Sequence, residues 1–354
     1  MLRSMTQGRS APLPPARLPE NHPRIAQGKV GVLLVNLGTP EGTDAASVRR
    51  YLREFLSDRR VVDYPRALWL PVLEGIILRT RPKKSGEAYA KIWNHEADES
   101  PLRTYTREQA NGVRGRLEAE GVIVDWAMRY GVPGIAAKLS ELQSQGCDRI
   151  LLVPLYPQYS ATTTATVVDA AFAHLATLPW QPSIRTLPPF HDEAAYIDAL
   201  AESARRHVGP EVERVILSYH GLPQRYFAAG DPYHCHCQKT SRLLREAMGW
   251  DPDFAPVAFQ SKFGPEKWLE PSTESLVVKA AEEGKKRIAV MAPAFVSDCV
   301  ETLEEIGIGL AETYHEAGGE HLSVVPCLNT DEAFLEALTD LVRRELSGWI
   351  PAAP

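Results

Sequence analysis

Short apolar runs alternate with stretches of helical period along most of the chain. The runs are rich in Val, Ile and Leu and end on Gly or Pro, the mark of strands buried on both faces. They predict strands over 30–36, 122–128, 150–155, 183–187, 214–219, 255–259, 287–292 and 322–326. The intervening patterns predict helices over 44–56, 104–119, 133–145, 160–177, 193–207, 238–248, 271–283, 297–315 and 331–347. Alternation of this kind implies an α/β fold, with parallel sheets and crossover helices.

The strand pattern also repeats. VLLVNLGTP (32–40) is similar to VILSYHGLP (215–223), and Leu37 stands where His220 stands. GCDRILLVPLY (146–156) is similar to GKKRIAVMAPAF (284–295). The expectation is two similar doubly wound halves facing one another, over 29–190 and 191–350. Residues 1–28 are rich in Pro and Arg and lack an apolar stretch, so a disordered tail is expected there.

Composition narrows the function. At 354 residues the chain is long for one core, which favours two domains. The net charge of −6, with no long basic run, gives nucleic acid no electrostatic basis. No apolar stretch reaches the roughly 18 residues of a spanning helix. Five scattered cysteines do not make a secreted disulfide framework, so a reducing cytoplasm is the expected location.

In open α/β sheets, ligands bind beyond the carboxyl ends of the strands. RVILSYHGLPQ (214–224) puts a titratable imidazole, His220, at such an end. NLGTP (36–40), YPQYS (156–160) and APAFVSD (292–298) sit at others. After the last of these, Ser297 or Asp298 is expected to cap a helix. On that helix Glu301 and Glu305 are four apart and share a face, whereas Glu304 turns away. A histidine facing two aligned carboxylates suits proton transfer or capture of a divalent first-row metal. The segment 69–89 is apolar and then basic, with Arg79, Arg81, Lys83 and Lys84; such a lip could hold a flat ring with carboxylate edges. Phe259, Phe263 and Trp268 lie in a Gly/Pro-containing loop of the kind that lines sites. NLGTPEGT lacks both GxGxxG and GxxxxGK[ST], so no phosphate-binding loop is expected.

Together, LLVNLGTPE (33–41), MRYGVP (128–133), YPQYSATTT (156–164), LSYHGLPQRYFAAGDPY (217–233), QSKFGPEKWLEP (260–271) and FVSDCVETLEEI (295–306) resemble the ferrochelatase family. The resemblance implies two Rossmann-like domains with a porphyrin cleft between them. It implies insertion of Fe²⁺ into protoporphyrin IX, with no cofactor beyond that substrate. It puts the family's essential histidine on His220 and its essential glutamate on Glu301, both also metal-binding. Glu305 matches the next acid of an inward ladder whose following rung is Gly309 here. Leu37, Arg129, Tyr130, Ser160, Lys262, Trp268 and Phe295 match porphyrin-binding positions. Two rivals remain: a sister chelatase taking coproporphyrin or cobalt, and a non-enzymatic porphyrin carrier. A carrier needs no base, which the acidic ladder opposite His220 supplies.

Two further expectations concern partners. Residues 64–78 (YPRALWLPVLEGIIL) form an apolar lip suited to weak peripheral contact with a membrane, the inner membrane in a bacterial cell, with Trp69 and Leu70 as contact residues. DPYHCHCQKT (231–240) clusters His234, Cys235, His236 and Cys237. Animal members of the family bind an iron–sulfur cluster largely through C-terminal cysteines. Here Cys327 is the only cysteine after Cys299, and Ala161 replaces the remaining ligand. Four thiolates are normally required, so no iron–sulfur cluster is expected.

Overall fold

The computed structural model describes residues 28–350. The tail expected over 1–28 therefore lies, Gly28 apart, outside the described residues. The strands form two sheets of four, all parallel. The first contains β1 (Lys29–Gly38), β2 (Ile123–Tyr130), β3 (Cys147–Pro154) and β4 (Ser183–Thr186) in the order β2-β1-β3-β4. The second contains β5 (Arg214–His220), β6 (Val257–Gln260), β7 (Arg287–Met291) and β8 (His321–Val325) in the order β6-β5-β7-β8. Each predicted strand is present. The orders coincide, so β1 corresponds to β5 and β3 to β7, as the repeated motifs imply.

Alternation along each strand explains the continuous apolar runs. Val30, Val32 and Leu34 point to one core, while Leu33 and Val35 point to another on the opposite face. The first of these cores is shared between the sheets. In it, Leu151 and Val153 join Leu217, Tyr219 and Met291 through α4 (Pro101–Leu117), α7 (Ala194–His207), α9 (Tyr233–Met248) and α12 (Glu332–Glu345). The outer faces are closed by α5 (Ile135–Ser144) and α6 (Thr164–Leu175) on one sheet, and by α10 (Thr273–Glu282) and α11 (Ala311–Glu316) on the other.

The segment after α1 (Ala45–Ser57) is helical throughout. α2 (Arg66–Val72), a π-wound turn (Leu73–Ile77) and α3 (Leu78–Ile92) run on without a break. Pro71 and Pro82 lie inside it. Proline removes a ladder donor, and the turn after Pro71 rebonds in the wider winding. Trp69, Leu73, Ile77 and Leu78 bury one side of this element against Leu52 and Leu56 of α1.

β1 ends at Gly38, whose φ is +113°. A Cβ there would stand 1.8 Å from the carbonyl oxygen of Tyr130 on β2. Only glycine lets the two strand ends close up. Gly38→Ala is therefore expected to destabilise the protein by about 2–4 kcal/mol, read as a lower melting temperature. An unchanged melting temperature would mean that the strand ends separate freely.

Candidate active site

In each sheet the strand order reverses between the two central strands, the place where open α/β sheets bind ligands. Leu37 and Leu155 mark this crevice in the first sheet, and His220 and Ala294 mark it in the second. All four line a single cavity of about 810 Å³, in the size range of small-molecule and cofactor sites.

His220 is placed by a tight strand end. The turn after β5 pairs with the segment carrying Trp268: Leu269 N–H donates to Leu222 O (2.9 Å) and Gln224 N–H to Lys267 O (2.8 Å). A Cβ on Gly221 would meet Gln260 O at 2.5 Å and the Trp268 ring at 3.0 Å, so no larger residue fits. The His220 ring is fixed by a 2.7 Å bond between Nδ1 and Gly221 O. A carbonyl only accepts. In the neutral ring the hydrogen therefore sits on Nδ1, and Nε2 keeps its lone pair for the cavity.

The carboxylates come from a helix of unusual winding. Glu301–Leu310 is a π helix, a form seen mostly as single-turn bulges and often at functional sites. Its approach is held by a buried network. The Asp298 carboxylate accepts from Thr302 Oγ1 (2.9 Å) and Asn329 Nδ2 (2.7 Å). Gln109 of α4 donates to Val296 O (3.0 Å) and Asn329 O (2.8 Å). Glu305 is pushed above its ordinary value of 4.5, chiefly by burial and further by Glu301; Ser261 Oγ, donating at 2.7 Å, and His220 oppose the shift. Burial also drives the hydroxyls of Tyr51 and Tyr89 upward, and the Glu301 charge adds to it. The three groups His220, Glu301 and Glu305 are thus electrostatic neighbours.

Cations and a clasp frame the opening. Arg81 and Lys262 line the cavity, and the Arg81 guanidinium lies 4.0 Å from the centre of the Phe263 ring. Arg225 of α8 (Gln224–Ala228) donates to Glu266 at 2.8 Å and pairs with Asp63, while Tyr64 also bonds Glu266. These bonds tie the α1–α2 connection to the loop after β6.

The sequence profile of the ferrochelatase family matches residues 29–346. A curated ferrochelatase of Agrobacterium fabrum is 57% identical over 337 residues, covering 94% of this chain and 98% of the relative. One from Rhizobium meliloti is 56% identical over 333 residues, covering 93% and 98%. The chain belongs to the ferrochelatase family. Among solved structures, the fold is similar to SirB from Bacillus subtilis, with a TM-score of 0.54 over 90% of this chain and 97% of that one. At 13% identity that likeness concerns the fold alone.

Within this ferrochelatase-family fold, Leu37, His220, Lys262, Trp268, Phe295 and Glu301 are brought together on the cavity wall. Glu305 lies behind Glu301, against Ser261. Arg129, Tyr130 and Ser160 are outside the lining. Arg129 donates to Thr166 O (2.8 Å) and pairs with Asp58. Tyr130 is fully buried, donates to Asp58 (2.8 Å) and packs edge-on against Phe55, which does line the cavity. Ser160 donates to Asp231 (3.0 Å).

Three expectations are corrected in detail. Neither Ser297 nor Asp298 caps the π helix, which begins at Glu301 with Val300 before it; Asp298 is instead occupied by Thr302 and Asn329. Trp69 is buried, its indole N–H donating to Leu56 O (2.6 Å), so it does not face outward. The exposed apolar row is Leu68, Val72 and Ile76, four residues apart. The HCHC run lies within α9, which starts five residues earlier than predicted. There His236 stacks on His191 with ring centres 3.7 Å apart, His234 stacks on Phe259, Cys235 is exposed and Cys237 is buried. Sequence reasoning missed Tyr51 and Tyr89, which also line the cavity. Tyr156, the first residue of the strand-end stretch YPQYS after β3, lines it as well.

The Glu305 shift has a consequence for stability. Its pKa is raised on folding, so the cost of the buried charge is present above the folded value. That cost disappears as pH falls towards the unfolded value. Glu305→Gln is expected to raise the melting temperature near about pH 8, with the gain shrinking to nothing near about pH 4. An equal effect at both pH values would remove burial as its cause.

Proposed function

We propose that the chain inserts Fe²⁺ into protoporphyrin IX, giving protohaem and two protons, in a cleft between halves 29–190 and 191–350. One observation carries this reading. A cavity of porphyrin size holds an imidazole with a free Nε2 beside two carboxylates on one helix. Metallation must remove two pyrrole protons and strip water from the ion. Nε2 of His220 accepts the two ring protons in turn. Glu301, then Glu305, take each onward, which frees Nε2 again, and their oxygens exchange for water on the incoming hard cation. His220 and Glu301 hold that ion at the ring.

The walls suit a greasy macrocycle. Leu37, Phe55, Val62, Ile77, Trp268 and Phe295 present apolar surface, and Arg81 and Lys262 offer charge to two carboxylate edges. This favours protoporphyrin over more carboxylated rings. Arg129, Tyr130 and Ser160 act on the ring through the wall they support. No cofactor enters the reaction beyond the Fe²⁺ substrate, and Cys235 and Cys237 take no part.

No helix among the described residues is long and apolar enough to cross a membrane. The reading is a cytoplasmic protein that touches lipid weakly through Leu68, Val72 and Ile76 beside the cavity, where a hydrophobic substrate would arrive. Flotation with phospholipid vesicles should show partial co-migration that falls when Leu68 and Ile76 become serine. Complete indifference to vesicles would remove the membrane contact.

The activity itself is tested anaerobically, with protoporphyrin and coproporphyrin side by side and metallation followed by absorbance. Protoporphyrin should be metallated faster. His220→Ala should lower turnover by roughly 10²–10⁴-fold while porphyrin still binds, because faces and edges hold the ring. Near-normal turnover in that variant would make His220 structural.

A further inference from the structure

Gln260 is the last residue of β6, is 5% exposed, and stands opposite His220 in the β5–β6 register. Its side chain reaches the start of the π helix, where Nε2 donates to the main-chain carbonyl of Glu301 at 3.0 Å. Because that carbonyl only accepts, the amide has one permitted orientation. Oε1 then faces Ser218, whose hydroxyl donates to it at 2.8 Å. With that hydrogen committed, Thr273 is the donor in its 2.7 Å contact with Ser218. Each hydrogen bond along Thr273–Ser218–Gln260–Glu301 then runs in one direction, and the first three residues are buried. The next residue, Ser261, adopts φ +62°, a backbone uncommon outside glycine, and holds the Glu305 carboxylate at 2.7 Å. One strand end thus grips the π helix at the backbone of its first residue and at the side chain of its fifth.

We propose that Gln260 is a positioning residue for metal insertion: its amide selects the π winding that begins at Glu301 and so sets the Glu301 and Glu305 carboxylates against His220. In an α helix the Glu301 carbonyl would take the N–H of residue 305; in the π form it takes that of residue 306. A side chain inserted at that carbonyl is one of the few known causes of departure from the tighter ladder. The inference rests on the roles given above to His220 and Glu301.

Three variants separate positioning from packing. Gln260→Glu is closest in shape and keeps an acceptor for Ser218, but sets a second acceptor against the Glu301 carbonyl. Gln260→Met keeps the volume and loses both bonds. Ser218→Ala leaves the critical donor in place. The readouts are kcat and KM for iron insertion, porphyrin binding by fluorescence, thermal melting, and amide hydrogen exchange across 301–310. Both Gln260 variants should lose about tenfold or more in kcat, Gln260→Glu the most, with porphyrin Kd changed by less than about twofold. Exchange across 301–306 should rise in both, and Ser218→Ala should lose less than about threefold in kcat. A packing role orders the variants by shape, making Gln260→Glu the mildest. That order, or unchanged exchange in a folded Gln260 variant, overturns the proposal. If one Gln260 variant does not fold, the other supplies both readouts. Glu301→Gln, run in parallel, isolates the underlying reading: full turnover there refutes the role of Glu301, while exchange across 301–306 still decides whether Gln260 sets the winding.

Discussion

The site depends on how closely the backbone packs at the carboxyl end of β5. With no Cβ at Gly221, the Gln260 carbonyl and the Trp268 ring close directly onto the strand. That closure makes the Gly221 carbonyl a fixed acceptor for His220 Nδ1 and so determines which ring nitrogen is basic. It also brings Gln260 within reach of Glu301 and Ser261 within reach of Glu305. The imidazole and both carboxylates are therefore referenced to one piece of main chain, which fixes their mutual geometry.

The sheets were legible in the sequence because their central strands β1, β3, β5 and β7 are buried on both faces and are apolar along most of their length. The repeated strand–Gly–x–Pro motif also announced the corresponding central strands, β1 and β5, and their ends located the cavity. The π winding over Glu301–Leu310 was not legible. Glu301 and Glu305, four apart, share a face in either helix type, and the choice between them is made by tertiary contact with the distant Gln260. The segment 66–92 was read as an apolar and then basic lip rather than as a predicted helix. Packing of Trp69, Leu73 and Ile77 against α1 keeps the element helical through Pro71 and Pro82, and it also hides Trp69 from solvent. Arg129, Tyr130 and Ser160 were found as motif residues, but a motif does not distinguish a residue that lines a wall from one that supports it.

The electrostatics follow from the same enclosure. Burial raises Glu305 and the tyrosine hydroxyls together, while Ser261 and His220 hold Glu305 back. A carboxyl with raised proton affinity is kept at a cost in stability, a pattern that clusters at functional sites. Glu304 shows the contrast within one turn: it faces α3 and pairs with Lys91 at 2.8 Å.

The most direct test of this arrangement is the protonation of the His220 ring itself. Nitrogen-15 NMR of histidine-labelled protein, with His220→Gln as the assignment control, reports which ring nitrogen carries hydrogen in the neutral form. The account predicts hydrogen on Nδ1, bound to the Gly221 carbonyl, and an unprotonated Nε2 that loses its free lone-pair signature when a divalent metal is added. Hydrogen on Nε2 would contradict it, because the nitrogen left for the cavity would then be a donor and His220 would be unable to accept a pyrrole proton there.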